Sequence, residues 1–64
     1  MLMIDSTSSQ GNAFFIIGMV KKILQEMGKS KTEITEAVEK MQDGDYDNLC
    51  TIANEVTDGF VEVV

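Results

Sequence analysis

Three glycines, Gly28, Gly44 and Gly59, each follow a segment whose apolar residues recur at helical spacing. Glycine is common immediately after a helix because it adopts positive φ without steric cost. The pattern therefore predicts three helices with short turns between them. The expected spans are from Gln10 or Gly11 to Met27, from Lys31 to about Gln42, and from Tyr46 to Val56 or Thr57.

Residues that favour helix starts precede each of these segments. Ser30 and Glu33 have the spacing of a capping box, in which each side chain accepts the backbone N–H of the other residue. Asp45 is placed to cap the third helix, and either Ser8 or Ser9 to cap the first.

The second and third helices each present one apolar stripe. Residues three, four and seven positions apart share a helix face, so each stripe is expected to pack on a common core. The stripe residues are Ile34, Ala37, Val38 and Met41 in the second helix, and Tyr46, Leu49, Ile52, Ala53 and Val56 in the third.

The first helix is apolar on more than one face. Its core-facing stripe is expected to contain Ala13, Ile16, Ile17, Val20, Ile23, Leu24 and Met27. Phe14, Phe15 and Met19 then lie on flanking faces. A helix that is apolar all round is normally buried all round. Two alternatives follow: these three residues complete a tight internal core, or they form the interface between copies of this chain.

Short apolar segments at the two ends of the chain are predicted to be strands. Leu2 to Ile4 and Phe60 to Val64 are expected to pair, and the antiparallel sense is favoured because antiparallel pairs are more frequent. The predicted fold is a single α+β domain over residues 1–64 with the order β-α-α-α-β. A two-stranded ribbon leaves open edges, which also favours a homo-oligomer.

Composition limits how a chain of 64 residues is stabilised and what it can catalyse. One cysteine cannot close an intrachain disulfide, and without histidine no ordinary zinc site is available. The absence of histidine and arginine also removes the commonest general base and the best phosphate ligand. A formal charge of −6 argues against nucleic-acid binding. We expect a non-enzymatic protein with no metal or cofactor.

Three features predict a cytoplasmic protein without membrane association. The longest apolar run, Ala13–Val20, has eight residues, whereas a membrane-spanning helix needs about 20. The segment from Met1 to Asp5 lacks the basic region of a signal peptide. The lone thiol, Cys50, fits a reducing compartment, and it is expected to be a small core residue because no basic neighbour activates it.

The segment Ser8, Ser9, Gln10, Gly11 and Asn12 is a candidate ligand site at the start of the first helix. Helix N-termini attract anions, and glycine allows close backbone approach, so a nucleotide or another anionic small molecule is one interpretation. The segment lacks the spacing of a phosphate-binding P-loop. The alternative, which we favour, is a serine cap with Gly11 or Asn12 packed tightly on a neighbouring element.

Acidic residues are concentrated in the second half of the chain. Residues 33–64 carry a net charge of −8, whereas residues 1–32 carry +2. Four carboxylates recur every three or four positions and predict an acidic surface that faces a protein partner: Glu33, Glu36, Glu39 and Asp43. Solvated helix faces and mimics of nucleic-acid phosphates share this pattern. The segment from Asp43 to Asp47 lacks the glycine and glutamate of a calcium-binding EF-hand loop and is better explained by helix capping.

Three segments resemble small acidic accessory proteins of phages and prophages. They are Ile4-Asp5 with Ser8–Phe14, then Met41–Leu49, and then Asp58–Val61, and together they span nearly the whole chain. The resemblance carries over no catalytic residue. It implies a phage-type protein in the cytoplasm of a bacterial host, where small non-enzymatic proteins often bind and block a host factor or sequester a signalling molecule.

Overall fold

The fold contains three helices and a two-stranded sheet, and a computed structural model describes all of residues 1–64. In chain order the elements are strand β1 (Leu2–Ile4), a 3-10 turn (Ser9–Gly11), helices α1 (Ala13–Glu26), α2 (Lys31–Gln42) and α3 (Tyr46–Val56), and strand β2 (Val61–Val63). The α+β class and the order of helices and strands predicted from the sequence are confirmed.

Helix α1 begins at Ala13, two or three residues later than predicted. Asn12 caps it, and not Ser8 or Ser9: the Phe14 N–H donates to Asn12 Oδ1 at 2.8 Å. Ser8 instead caps the 3-10 turn, where its hydroxyl accepts a backbone N–H at 3.2 Å. The prediction was wrong here because two cap-forming residues lie close together, and the extended backbone of Asn12 separates a short turn from the helix proper.

The predicted limits of α2 and the start of α3 are confirmed. Ser30 and Glu33 form a reciprocal capping box with two hydrogen bonds of 3.1 Å. The Asp45 carboxylate accepts the Asn48 N–H at 2.9 Å and caps α3. After α1 the chain turns at Gly28, whose φ of +81° is accessible to glycine at little cost.

The core forms where the three helices and the sheet meet. Its buried apolar side chains are Ile4, Ile16, Val20, Leu24, Ile34, Ala37, Met41, Leu49, Ala53 and Val61. Every predicted stripe contributes to this set, while Val38, Ile52 and Val56 are half-buried at its margin. Met27 and Tyr46 differ from the prediction, because neither side chain is buried in the core. Met27 is the C-cap of α1 and is 41% exposed, and Tyr46 at the start of α3 is 38% exposed.

Strands β1 and β2 pair in parallel, with Leu2 beside Val61 and Ile4 beside Val63. The antiparallel prediction was therefore wrong. It rested on the general frequency of antiparallel pairs, whereas parallel pairing requires a long crossover connection, which the three helices supply. Helices α1, α2 and α3 lie between the two strands in the sequence and together form this crossover.

Candidate interaction surfaces

The first candidate surface is the outer face of α1. Phe14 is 79% exposed, Phe15 is 38% exposed and Met19 is half-buried. Val20 is fully buried, and with 3.6 residues per turn Phe14 and Phe15 lie on the two sides of the helix away from it. Phe14 therefore does not belong to the internal core, while its role in an interface between subunits stays a prediction. No helix in the fold is both long enough and apolar enough to cross a membrane.

A groove of about 270 Å³ lies beside the Phe14 ring. Ala13 and Ile17 of α1 form one wall with that ring, and Tyr46 at the start of α3 contributes to the other. The remaining lining residues are Met41, Gln42, Gly44, Asp45 and Leu49. The exposed ring and the open groove thus lie together on one mainly apolar surface. Tyr46 belongs to it because the fold brings the starts of α1 and α3 together, which helical periodicity alone does not reveal.

Several polar groups of the segment from Ser8 to Asn12 form hydrogen bonds within the fold. The Ser8 hydroxyl accepts the Gln10 N–H at 3.2 Å and donates to the Asp5 carbonyl at 2.7 Å. The backbone N–H groups of Gly11 and Asn12 donate to Ser8 and Ser9 carbonyl oxygens, at 3.0 and 3.3 Å. These hydrogen bonds form a turn capped by Ser8. The sequence favours a serine cap over an anion site in this segment.

Gly11 is buried, and its position explains why glycine is needed there. A Cβ atom added at this residue would lie 2.4 Å from the carbonyl oxygen of Ser6. The Gly11 carbonyl oxygen also accepts a hydrogen bond from the Tyr46 hydroxyl. The tight packing of Gly11 against a neighbouring segment is thus a structural contact, and the binding of an anionic ligand here stays a prediction.

The second candidate surface is the acidic face of α2, which we define by Glu33, Glu36, Glu39 and Asp43. All four side chains are exposed. A shallow depression of about 490 Å³ on this face is lined only by polar residues, namely Glu36, Glu39, Lys40, Gln42 and Asp43. The backbone and hydroxyl of Ser30 lower the pKa of Glu33, because both hydrogen bonds favour the carboxylate. The structure places Glu33, Glu36 and Glu39 on α2 and Asp43 at its C-cap, all open to solvent.

The carboxylates between α2 and α3 serve the backbone. Asp45 caps α3, and Asp47 lies in the first turn of α3, where the helix dipole favours negative charge. No group of three or more histidine, cysteine, aspartate or glutamate side chains is arranged to hold a metal ion.

Cys50 and Tyr46 are neighbours on α3. Cys50 is half-buried, and this burial raises the pKa of its thiol, with a further contribution from Asp47. Partial burial also raises the pKa of Tyr46, and the nearby Cys50 adds to this effect. Both groups are therefore held in their neutral forms near pH 7. A protonated thiol is a poor nucleophile, so Cys50 has the chemistry of a packing residue.

Comparison of the chain with protein-family models, with curated proteins and with solved structures gave no match.

Proposed function

We propose that this chain is a non-catalytic binding protein that associates with copies of itself through α1 and contacts a protein partner through the acidic face of α2. The partner carries a basic surface, and binding blocks or sequesters it. The resemblance to phage accessory proteins suggests a setting for this activity, namely a host factor in the cytoplasm of a bacterium.

The observation that carries the proposal is the exposure of Phe14. Its side chain is 79% exposed beside an open apolar groove, in a domain of only 64 residues. Burying an aromatic side chain removes roughly 150–250 Å² of surface from water and is a frequent source of binding energy. Small domains also gain stability from association, because their own core is limited.

The charge distribution supports a partner distinct from a second copy. The acidic face of α2 belongs to the half of the chain with net charge −8, so two such faces would repel each other. A basic surface on another protein would instead be attracted at long range, with an association rate that falls as salt increases.

The ionisable groups support a binding role over catalysis. The two carboxylates with shifted pKa values, Asp5 and Glu33, both have lowered values because of hydrogen bonds from nearby hydroxyl and backbone groups. A general acid needs a raised pKa, so these shifts oppose that role. The thiol of Cys50 is shifted away from the reactive thiolate.

Self-association is tested by light scattering of the purified chain at micromolar concentration, with reductant present. We expect a mass of a dimer or larger, falling toward that of a monomer for Phe14→Glu. A wild-type mass equal to the monomer at all concentrations up to 100-fold higher would contradict the oligomeric part of the proposal.

Partner binding is tested with two triple variants that each change the net charge from −6 to −3. The first, Glu36→Gln/Glu39→Gln/Asp43→Asn, neutralises the acidic face of α2. The control, Glu26→Gln/Glu55→Gln/Glu62→Gln, neutralises three exposed acids elsewhere. Each immobilised protein is incubated with bacterial lysate, and the captured protein is then purified and its Kd measured.

We expect the wild type and the control to retain one basic protein that the α2 variant loses, with affinity that falls at high salt. Equal retention by both variants would contradict the proposed role of α2. The anionic-ligand alternative at Ser8–Asn12 stays a prediction, and a thermal-shift screen with nucleotides tests it.

A further inference from the structure

Gly18 lies in the middle of α1, and nothing in the fold of a single chain explains why it is glycine. The residue is exposed, and a Cβ atom added there would meet no atom within 4 Å. Glycine weakens a helix interior relative to alanine, so an unconstrained site normally favours alanine. Gly11 is a useful contrast, because its missing Cβ leaves room for the Ser6 backbone.

Gly18 is also near the centre of the outer face of α1. By the helical repeat it lies about 160° around the helix from the buried Val20. One turn before it are the exposed aromatic rings of Phe14 and Phe15. One turn after it are two exposed lysines, Lys21 and Lys22. The outer face of α1 is thus apolar in its first half and basic in its second half.

We propose that α1 packs on α1 of a second copy of this chain, antiparallel and crossing at Gly18; this inference rests on the self-association proposed above. Without side chains at the crossing point, the two helix backbones approach closely, and the surrounding side chains of each helix then contact the other. A two-fold axis through the crossing makes both subunits equivalent, as in most dimers.

The antiparallel direction follows from the distribution of residues along α1. With the crossing at Gly18, Phe14 and the partner's Lys21 lie on one side of the contact, and Phe15 and the partner's Lys22 lie on the other side. An ammonium group over an aromatic ring is attracted to it, and the aliphatic part of the lysine covers the ring. A parallel arrangement would instead place lysines against lysines, where their charges repel each other.

A second copy is favoured over another occupant because this face supplies both members of each contact. The aromatic rings lie before Gly18 and the lysines after it, at equal separations along the helix. A two-fold axis between two antiparallel helices that cross at Gly18 brings the aromatic half of each copy against the basic half of the other, so the surface is complementary to itself. A different partner would have to supply this pattern independently.

Cysteine cross-linking tests the crossing point. In a Cys50→Ser background, Gly18→Cys places two thiols at the proposed crossing, within the Cα separation of up to about 7 Å that a disulfide requires. Gln25→Cys is the matched control on the same face. In the antiparallel dimer its two copies lie roughly 21 Å apart, which no disulfide spans. Both proteins are oxidised under mild conditions and analysed on a denaturing gel without reductant.

We expect a covalent dimer for Gly18→Cys and monomer for Gln25→Cys. Equal cross-linking at both positions would overturn the antiparallel direction, and no cross-linking at position 18 would overturn the crossing. If the wild type is a dimer by light scattering but Gly18→Cys fails to cross-link, only this inference fails. If the wild type is a monomer, both this inference and the oligomeric part of the proposed function fail.

A variant that forms no disulfide provides a second measurement, the affinity of the dimer. Gly18→Leu fills the space at the crossing and is expected to weaken dimerisation roughly tenfold or more, the usual consequence of overpacking a close contact. Thr51→Leu, at an exposed position of α3, is the control and is expected to leave the dimer unchanged. Equal dimer affinity for Gly18→Leu and the wild type would overturn the inference.

Discussion

The Tyr46 hydroxyl donates a hydrogen bond to the Gly11 carbonyl oxygen across 35 positions of sequence. This contact joins the 3-10 turn before α1 to the first residue of α3, and Tyr46 also forms part of the groove beside Phe14. The bond fixes the position of α3 relative to the segment that precedes α1. The shape of the groove therefore depends on it.

Removing this hydroxyl tests how much the contact contributes. Tyr46→Phe keeps the ring but leaves the Gly11 carbonyl without its partner, so we expect a loss of about 0.5–1.5 kcal/mol in the free energy of unfolding. Urea denaturation followed by circular dichroism measures it. An unchanged free energy of unfolding would mean that solvent replaces the bond without cost.

Replacing Gly11 and Gly18 by alanine should change the free energy of unfolding in opposite directions. Gly11→Ala places a Cβ atom 2.4 Å from the Ser6 carbonyl oxygen, so we expect it to destabilise the fold by about 1–3 kcal/mol. Gly18→Ala meets no atom within 4 Å and should stabilise the isolated subunit by about 0.5–1 kcal/mol through helix propensity. Urea denaturation at a concentration where the chain is monomeric measures both. Destabilisation by both substitutions would contradict this contrast.

Thr57 links the end of α3 to β2. Its hydroxyl donates to the Ala53 carbonyl at 2.7 Å and accepts the Val61 N–H at 3.1 Å, and the residue is only 2% exposed. Thr57→Val preserves the shape but leaves the Val61 N–H buried without that partner, so we expect a loss of about 1–3 kcal/mol. Thr51→Val, at an exposed position of α3, should change stability by less than about 0.5 kcal/mol. Similar losses in the free energy of unfolding for the two variants would contradict the role of the hydrogen bond between the Thr57 hydroxyl and the Val61 N–H.

The capping box at α2 makes stability depend on pH. Hydrogen bonds from Ser30 lower the pKa of Glu33 in the folded state below its usual value of 4.5. A lowered pKa contributes stability above the unfolded-state value, and this contribution is lost as pH falls through the folded-state value. Glu33→Gln should therefore have a lower Tm than the wild type at pH 7, and the difference should shrink toward pH 3. A constant difference across this range would contradict the role of the carboxylate.

The Cys50 thiol should react slowly with alkylating reagents. Burial raises its pKa, so less thiolate is present near pH 7 than in an exposed cysteine, and access is also restricted. The rate of reaction with iodoacetamide at pH 7.5 should rise several-fold when the chain is unfolded in urea. Equal rates for the folded and unfolded chains would show that the thiol is fully accessible.

The sequence predicts some residues of the candidate binding surface, but it does not predict the complete set. Helical spacing assigns other residues of α1 to the core-facing stripe and leaves Phe14 and Phe15 on the remaining faces. This prediction needs only the local sequence. The carboxylates of α2 are likewise placed on one face by their spacing. Tyr46 joins the surface only because tertiary packing brings α3 beside the start of α1, and the importance of Gly18 depends on the empty space around it.

The sequence by itself determined where α2 and α3 begin and end, because those limits depend on interactions between residues a few positions apart. Ser30 with Glu33, and Asp45 with Asn48, satisfy backbone groups that lie within one turn. The tertiary structure alone decided which of two neighbouring caps starts α1 and in which sense the strands pair. Strand direction depends on how three helices pack between β1 and β2, and the start of α1 depends on the extended backbone of Asn12, which separates the 3-10 turn from the helix. Both are properties of the packed chain, which local sequence preferences do not contain.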